Sequence, residues 1–233
     1  IGIRSFSDKA DVCAEYAVKL YQGLRDGGIV ATAKHYPGRG DSAIDAHTDL
    51  DIIDIPAATL RDRELRPYRA LIEAGIGAIM SAHSSYPAID PSESPSTLSS
   101  KLIVDLLRTE LGFEGVITTD AMGMGAIVKR WGVPRASVMA LQAGCNLILA
   151  KNDDAVREQC FYTVIEAVRS GELPEAHLDA SVRRVLGMKY DQGLFESGGQ
   201  VDADAAPVVI RDSGNETTAR RVADACLTCV RAQ

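Results

Sequence analysis

A chain of 233 residues, 46% hydrophobic and 24% charged, carries enough apolar material for one large α/β domain or two small ones. Its formal net charge of −7 and the lack of a basic stripe argue against a nucleic-acid-binding surface. No window approaches the ~18 consecutive apolar residues that a membrane helix needs.

The chain opens on Ile1-Gly2-Ile3-Arg4-Ser5-Phe6, which reads as a loop leaving a strand, so the remnant of a strand is expected before Arg4. Helical spacing follows over residues 8–25 (Val12, Tyr16, Leu20, Leu24), and an apolar run predicts a buried strand over 29–34. A helix is predicted over 59–74, a strand over 76–82, and a helix over 99–111 with Ser99 as its N-cap. A strand over 115–120, a helix over 134–143 and a strand over 146–150 come next. Two helices, 153–170 and 174–190, follow, the second starting behind Pro174. This alternation predicts four full parallel strands with crossover helices. From Gly198 the composition changes: residues 198–206 read as a linker and 215–231 as one amphipathic helix with an exposed Arg220-Arg221 pair. The expected division is therefore 1–197 for a catalytic domain and 198–233 for a linker and helix leading towards a second one.

The polar residues fall in one topological place. Lys34-His35, Ser81 and His83, Asp120, and Lys151-Asn152 all stand at C-terminal strand ends. That position is the catalytic rim of a (β/α)8 barrel or the ligand crevice of an open doubly wound sheet. No Gly-x-Gly-x-x-Gly or Walker-type loop follows any strand, which favours the barrel. The predicted class is α/β, an N-terminally truncated portion of a TIM barrel with three or four strands upstream. Beside the first strand, Lys34-His35-Tyr36-Pro37-Gly38-Arg39-Gly40-Asp41 and Asp45-Ala46-His47 form a Gly-rich polar loop of the kind that scaffolds position for function. Asp41 is expected to pin its Pro-Gly turn through a backbone bond. The five cysteines are scattered. Cys226-Leu-Thr-Cys229 sits in a helical pattern without a second pair, so reduced structural thiols are expected and neither metal nor cofactor.

These motifs, together with Met80-Ser81-Ala82-His83, Pro95-Ser96-Thr97-Leu98-Ser99 and the stretch from Leu111 to Asp120-Ala121-Met122-Gly123-Met124, resemble glycoside hydrolase family 3 and its bacterial β-N-acetylhexosaminidase branch. The match runs from Ile1 to about Leu194. It implies a retaining mechanism with Asp120 as nucleophile, a carboxylate held ionised below the anomeric carbon; the bland alternative is a helix N-cap. It also implies an Asp45–His47 dyad as general acid/base on a loop expected to be mobile. Histidine gives and takes a proton near neutrality, and Asp45 can orient its ring. Lys34, His35 and Arg4 match the family's sugar-binding positions, where cations donate charge-assisted bonds to hydroxyls. His83 faces the same rim and is a further substrate-binding candidate. Met122 and Met124 line the aglycone side or fill core.

The implied substrate is a glycan with a terminal β-linked N-acetylglucosamine, including peptidoglycan fragments. A further family aspartate for the terminal sugar has no counterpart here, so the chain alone is expected to be poorly soluble and nearly inactive. Location stays open, with cytoplasm slightly favoured over secretion or the cell envelope. Three competing readings stand beside the hydrolase: a glycoside phosphorylase, since a neutral histidine admits an anionic acceptor; a metal-dependent barrel hydrolase using His35, His47, His83 and Asp120; and an inactive remnant.

Overall fold

The computed structural model describes residues 4–200, 202–210 and 212–226. The strand expected before Arg4, the end of the 215–231 helix and Cys229 lie outside them. The chain divides into two compact units, residues 1–192 and 193–233.

In the first unit the predicted alternation is present. Helix α1 (Ala10–Asp26) leads to β1 (Thr32–Tyr36); β2 (Asp51–Ile52) and α2 (Ala57–Thr59) follow, and α2 runs on through a π-helical turn, Leu60–Glu64, into α3 (Arg66–Glu73). Then come β3 (Ala78–Ser81), β4 (Ser84–Ser85), a second π-helical stretch (Lys101–Glu110), β5 (Val116–Ala121), α4 (Gly125–Val128), α5 (Val133–Gln142) and β6 (Leu147–Leu149). Helices α6 (Asp154–Arg169) and α7 (Glu175–Asp191) close the unit, α7 beginning behind Pro174. The main sheet has the order β1-β3-β5-β6, every pair parallel. Successive neighbours joined by helices are the pattern of a portion of a (β/α)8 barrel.

Burial explains why these apolar runs became strands. Ile79 and Ile117 are fully buried and join Leu60, Leu65, Leu102, Ile103 and Leu107 in one continuous core. Tyr36 ends β1 in that core, its ring edge-on to Tyr68 at 5.3 Å and its hydroxyl donating to the Leu102 carbonyl at 3.0 Å. A buried Tyr needs such a partner for its hydroxyl. Ser99 performs the expected capping: its hydroxyl accepts the Leu102 N–H at 3.3 Å and donates to Asp90 at 2.5 Å.

The ladder departs from regular register in two places. On β1 it slips between Lys34 and Tyr36, at His35, and on β5 between Thr118 and Ala121, around Asp120. Such irregularities re-aim side chains at barrel rims. Here they fall on two residues singled out for chemistry.

Elements without a forerunner in the pattern include β2 and β4, which pair as a parallel two-stranded sheet (Asp51↔Ser84, Ile52↔Ser85), and α4. Two-residue strands leave no periodicity to read. In the second unit, α8 (Leu194–Ser197), α9 (Ala205–Ile210) and α10 (Ser213–Ala225) are helical. Helix α9 replaces part of the expected 198–206 linker, because the Asp202 carboxylate accepts the N–H groups of Asp204 and Ala205 and starts a turn. No helix among the described residues is long and apolar enough to cross a membrane.

Candidate active site

Asp120 sits inside β5 rather than at a helix start; α4 begins later, at Gly125, behind Met124. Its side chain is 18% exposed, with Oδ2 lying 3.4 Å from His35 Nε2. Oδ1 accepts the Ala121 N–H at 2.7 Å. The carboxylate is thus bonded to backbone through Oδ1 and has an imidazole beside Oδ2.

His35 is buried, and its Nδ1 makes no hydrogen bond among the described residues. Burial drives its pKa down to about 4; Asp120 opposes this, while Lys34, Arg39 and Arg4 push the same way as burial. The ring is therefore neutral at pH 7 and stands against Asp120 as a polar neighbour, not as a charged partner. His83 lies deeper. Its Nδ1 is 2.8 Å from Thr97 Oγ1 and its Nε2 is 3.2 Å from the Ala121 carbonyl, and burial lowers its pKa to about 4 as well. Both nitrogens are engaged by the protein, which puts His83 in support of the β5 end instead of in the open cleft. With His83 so engaged, no group of three or more metal-ligating side chains forms among the described residues.

Arg4, Lys34 and His35, expected to meet substrate, line a groove of about 840 Å³. Arg39 and apolar residues of α1 such as Leu20 and Tyr21 line it as well. The groove runs along the edge of β1, and Asp120, Asp45 and His47 lie outside its lining. His35 joins the two regions, since it lines the groove and touches Asp120. Lys34 is exposed and forms no ion pair among the described residues, leaving its ammonium available.

Asp45 and His47 are hydrogen-bonded to each other: His47 Nδ1 is 2.7 Å from Asp45 Oδ1, which also accepts the His47 backbone N–H at 3.0 Å. Those two bonds hold the Asp45 carboxyl below its ordinary pKa. Both side chains are exposed, 66% and 73%, and the dyad leaves Nε2 of His47 turned away from its partner.

The loop carrying them is anchored. Ala46 is buried with Leu50, Met124 and Ala126. The Ala46 carbonyl accepts the Ala126 N–H, and the His47 carbonyl accepts the Gly125 N–H, each at 3.1 Å. The loop is thereby docked on the turn that follows Asp120. Gly125 permits this approach, because a Cβ there would stand 2.5 Å from the Thr48 carbonyl oxygen. Met122 and Met124 are buried and fill core.

Two residues near the loop behave unlike the expectation. Asp41 gives its carboxylate to Arg63, and the turn it was to pin is held by Tyr86, whose hydroxyl donates to the Gly38 carbonyl at 2.6 Å. The long tyrosine reaches the turn from the segment behind β4, a contact no local pattern announces. The sequence reading also missed Asp51, which is buried beneath the loop and accepts three of its donors. A lone acidic residue inside the apolar run Leu50-Asp51-Ile52-Ile53 was the available signal.

Similarity to known proteins agrees with this geometry. The profile "Glycosyl hydrolase family 3 N terminal domain" matches residues 1–188. A "Beta-hexosaminidase" of Nitrosomonas eutropha is 41% identical over 153 residues, covering 66% of this chain and 43% of that protein. A "Beta-hexosaminidase" of Stenotrophomonas maltophilia is 39% identical over 158 residues, covering 68% and 47%. Among solved structures, a glycoside hydrolase family 3 β-N-acetylglucosaminidase from Paenibacillus sp. superimposes with a TM-score of 0.89 at 36% identity, covering 94% of this chain and 42% of that one. The "Beta-glucoside phosphorylase BglX" gives 0.87 at 28% identity, covering 95% and 41%. The chain spans about half the length of the relatives it matches, and its parallel β/α units are part of the barrel those proteins share. With its profile match over four-fifths of its length and these relatives, the chain belongs to glycosyl hydrolase family 3.

Proposed function

We propose that this chain carries the catalytic rim of a retaining exo-β-N-acetylhexosaminidase acting on glycans with a terminal β-linked N-acetylglucosamine. The observation that carries the reading is the pairing of a strand-end carboxylate, Asp120 against neutral His35, with an Asp–His dyad docked on the turn beyond it.

Asp120 attacks the anomeric carbon as the glycosidic bond breaks, forming a glycosyl–aspartate ester. The leaving oxygen takes the proton from His47 Nε2. Asp45 holds the ring by Nδ1 and stabilises its charged form. Neutral once more, His47 then accepts a proton from water as water attacks the ester, which frees Asp120. His35 stands against Asp120 as a neutral neighbour, His83 braces the strand end, and Lys34 and Arg4 donate to sugar hydroxyls. In this scheme Asp120→Ala abolishes turnover of an aryl β-N-acetylglucosaminide by the intact protein. His47→Ala slows poor leaving groups far more than good ones, which need no proton. Equal losses on both would sink the acid/base role, and substantial turnover by Asp120→Ala would sink the nucleophile.

A second reading has its own support. The superposition on a β-glucoside phosphorylase and an acid/base without a second negative carboxylate at the attack position both suit phosphate as acceptor. Product analysis with phosphate against water separates the two: sugar 1-phosphate marks the phosphorylase, and free sugar alone marks the hydrolase.

A further inference from the structure

The acid/base loop is docked at its apex on α4, but its base hangs from a different support. Asp51 is buried on β2, whose partner strand is β4, immediately beyond His83. Its Oδ2 accepts the Ser42 hydroxyl at 2.5 Å and its Oδ1 accepts the N–H groups of Ala43 and Ile44 at 3.3 and 3.2 Å. Arg39 completes the cluster. Its Nη2 donates to Ser42 Oγ at 2.9 Å and to the Ile44 carbonyl at 3.1 Å, and lies 4.0 Å from Asp51 Oδ2.

Every donor in this cluster lies in the four residues leading into Asp45, except Arg39, which starts the loop. A buried carboxylate costs heavily unless it is paired and hydrogen-bonded, and Asp51 is both. Its bonds converge on one loop segment, Ser42 through its hydroxyl and Ala43 and Ile44 through their N–H groups, instead of on the sheet or the core. We infer that Asp51 is a positioning residue for the acid/base step: through Ser42, Ala43 and Ile44 it sets the height and direction from which Asp45 and His47 reach the leaving oxygen. The inference rests on the acid/base reading of His47. Neighbouring Arg39 brings its guanidinium to 4.0 Å from the carboxylate, and the two-stranded β2/β4 sheet presents the carboxylate to the loop. The leverage is geometric. Catalytic groups must be held within about 0.5 Å of productive geometry, and the exposed dyad has no packing of its own to hold it.

The test uses the intact protein and two aryl β-N-acetylglucosaminides, one with a good phenolate leaving group and one with a poor one. Asp51→Asn keeps an oxygen for the two amides but turns an NH₂ towards Ser42 and Arg39. The expected result is a loss on the order of tenfold in kcat/KM for the poor leaving group, with the good one within about twofold, a smaller copy of the His47→Ala pattern. Because Asp51 acts through His47, Asp51→Asn/His47→Ala should be no slower than His47→Ala alone. Ser42→Ala, a milder change that leaves Asp51 charged and paired with Arg39, should shift the same ratio in the same direction even where Asp51 variants fold poorly. Equal losses on both substrates, or losses that multiply with those of His47→Ala, would make Asp51 scaffold only and overturn the inference. A His47→Ala protein without the leaving-group split overturns the acid/base reading first, and the positioning role with it.

Discussion

Replacing Gly125 by Ala isolates the docking of the loop that carries Asp45 and His47, the acid/base pair of the proposed mechanism. A Cβ at this position would stand 2.5 Å from the Thr48 carbonyl oxygen and 2.7 Å from that of His47, both backbone atoms that no rotamer change can move aside. The loop must retreat by roughly 0.9 Å to reach ordinary van der Waals distance from the 2.5 Å contact. That retreat stretches both docking bonds, Gly125 N–H to His47 and Ala126 N–H to Ala46, from 3.1 Å. Losing the pair costs about 2 kcal/mol, and the better helix propensity of Ala at the start of α4 returns up to ~1 kcal/mol. The net destabilisation is then only about 1 kcal/mol, a Tm decrease of a few degrees for a chain of this size. Activity should suffer far more, because ~1 Å of misplacement of a reacting group can cost ~100-fold. Melting curves and kcat/KM on paired good and poor leaving groups measure the two effects. A protein that melts slightly lower yet loses activity mainly on the poor leaving group matches the mechanism. Full activity on the poor leaving group would refute it, since docking would then not be what places His47.

The remaining expectations concern the core and the buried histidines. Tyr36→Phe leaves the buried Leu102 carbonyl without the hydroxyl it receives at 3.0 Å, so urea denaturation should show a loss of about 1–3 kcal/mol. His35 and His83 both have folded pKa values near 4 against an ordinary 6.5, so the unfolded chain binds more protons between those limits. Their contribution is fully present above pH 6.5 and is lost as pH falls towards 4, on the order of 1–3 kcal/mol for each. His35→Gln should flatten the stability–pH curve in that window; an unchanged slope would show that His35 is not buried neutral.

The strand–helix alternation of the first unit was legible because long amphipathic runs and short apolar runs each leave a periodic trace. Asp120 and His35 were legible through their place at strand ends, and Asp45 and His47 through a local spacing that also makes their bond. The support beneath them was not. Asp51 acts only because two-residue strands, β2 and β4, meet across the rim, and so short a pairing has no period. Tyr86 reaches Gly38 from 48 positions away, and Gly125 is required by a carbonyl from another loop. His83 reads as a rim ligand by position, yet Thr97, distant in sequence, captures its ring. Sequence order reports residues that work beside their neighbours and hides those whose partners arrive by folding.

The exposure of the dyad follows from the choice of a histidine. A carboxylic acid on an open loop ionises near pH ~4 and has no proton to give at neutrality, so it must be buried to serve as an acid. An imidazole has an ordinary pKa of ~6.5 and needs no burial for that purpose. The demand on the protein therefore changes from desolvating the group to aiming it. Here the desolvated groups lie at the loop's supports and beside Asp120: Asp51 under the loop's base, Ala46 under its apex, and His35 and His83 near Asp120. Substitutions at those buried supports should alter the leaving-group dependence of the reaction, whereas a neutral replacement elsewhere on the exposed loop, such as Thr48→Ser, should leave that dependence unchanged. Measuring both sets on the same two substrates tests whether aim, not burial, limits the proton transfer.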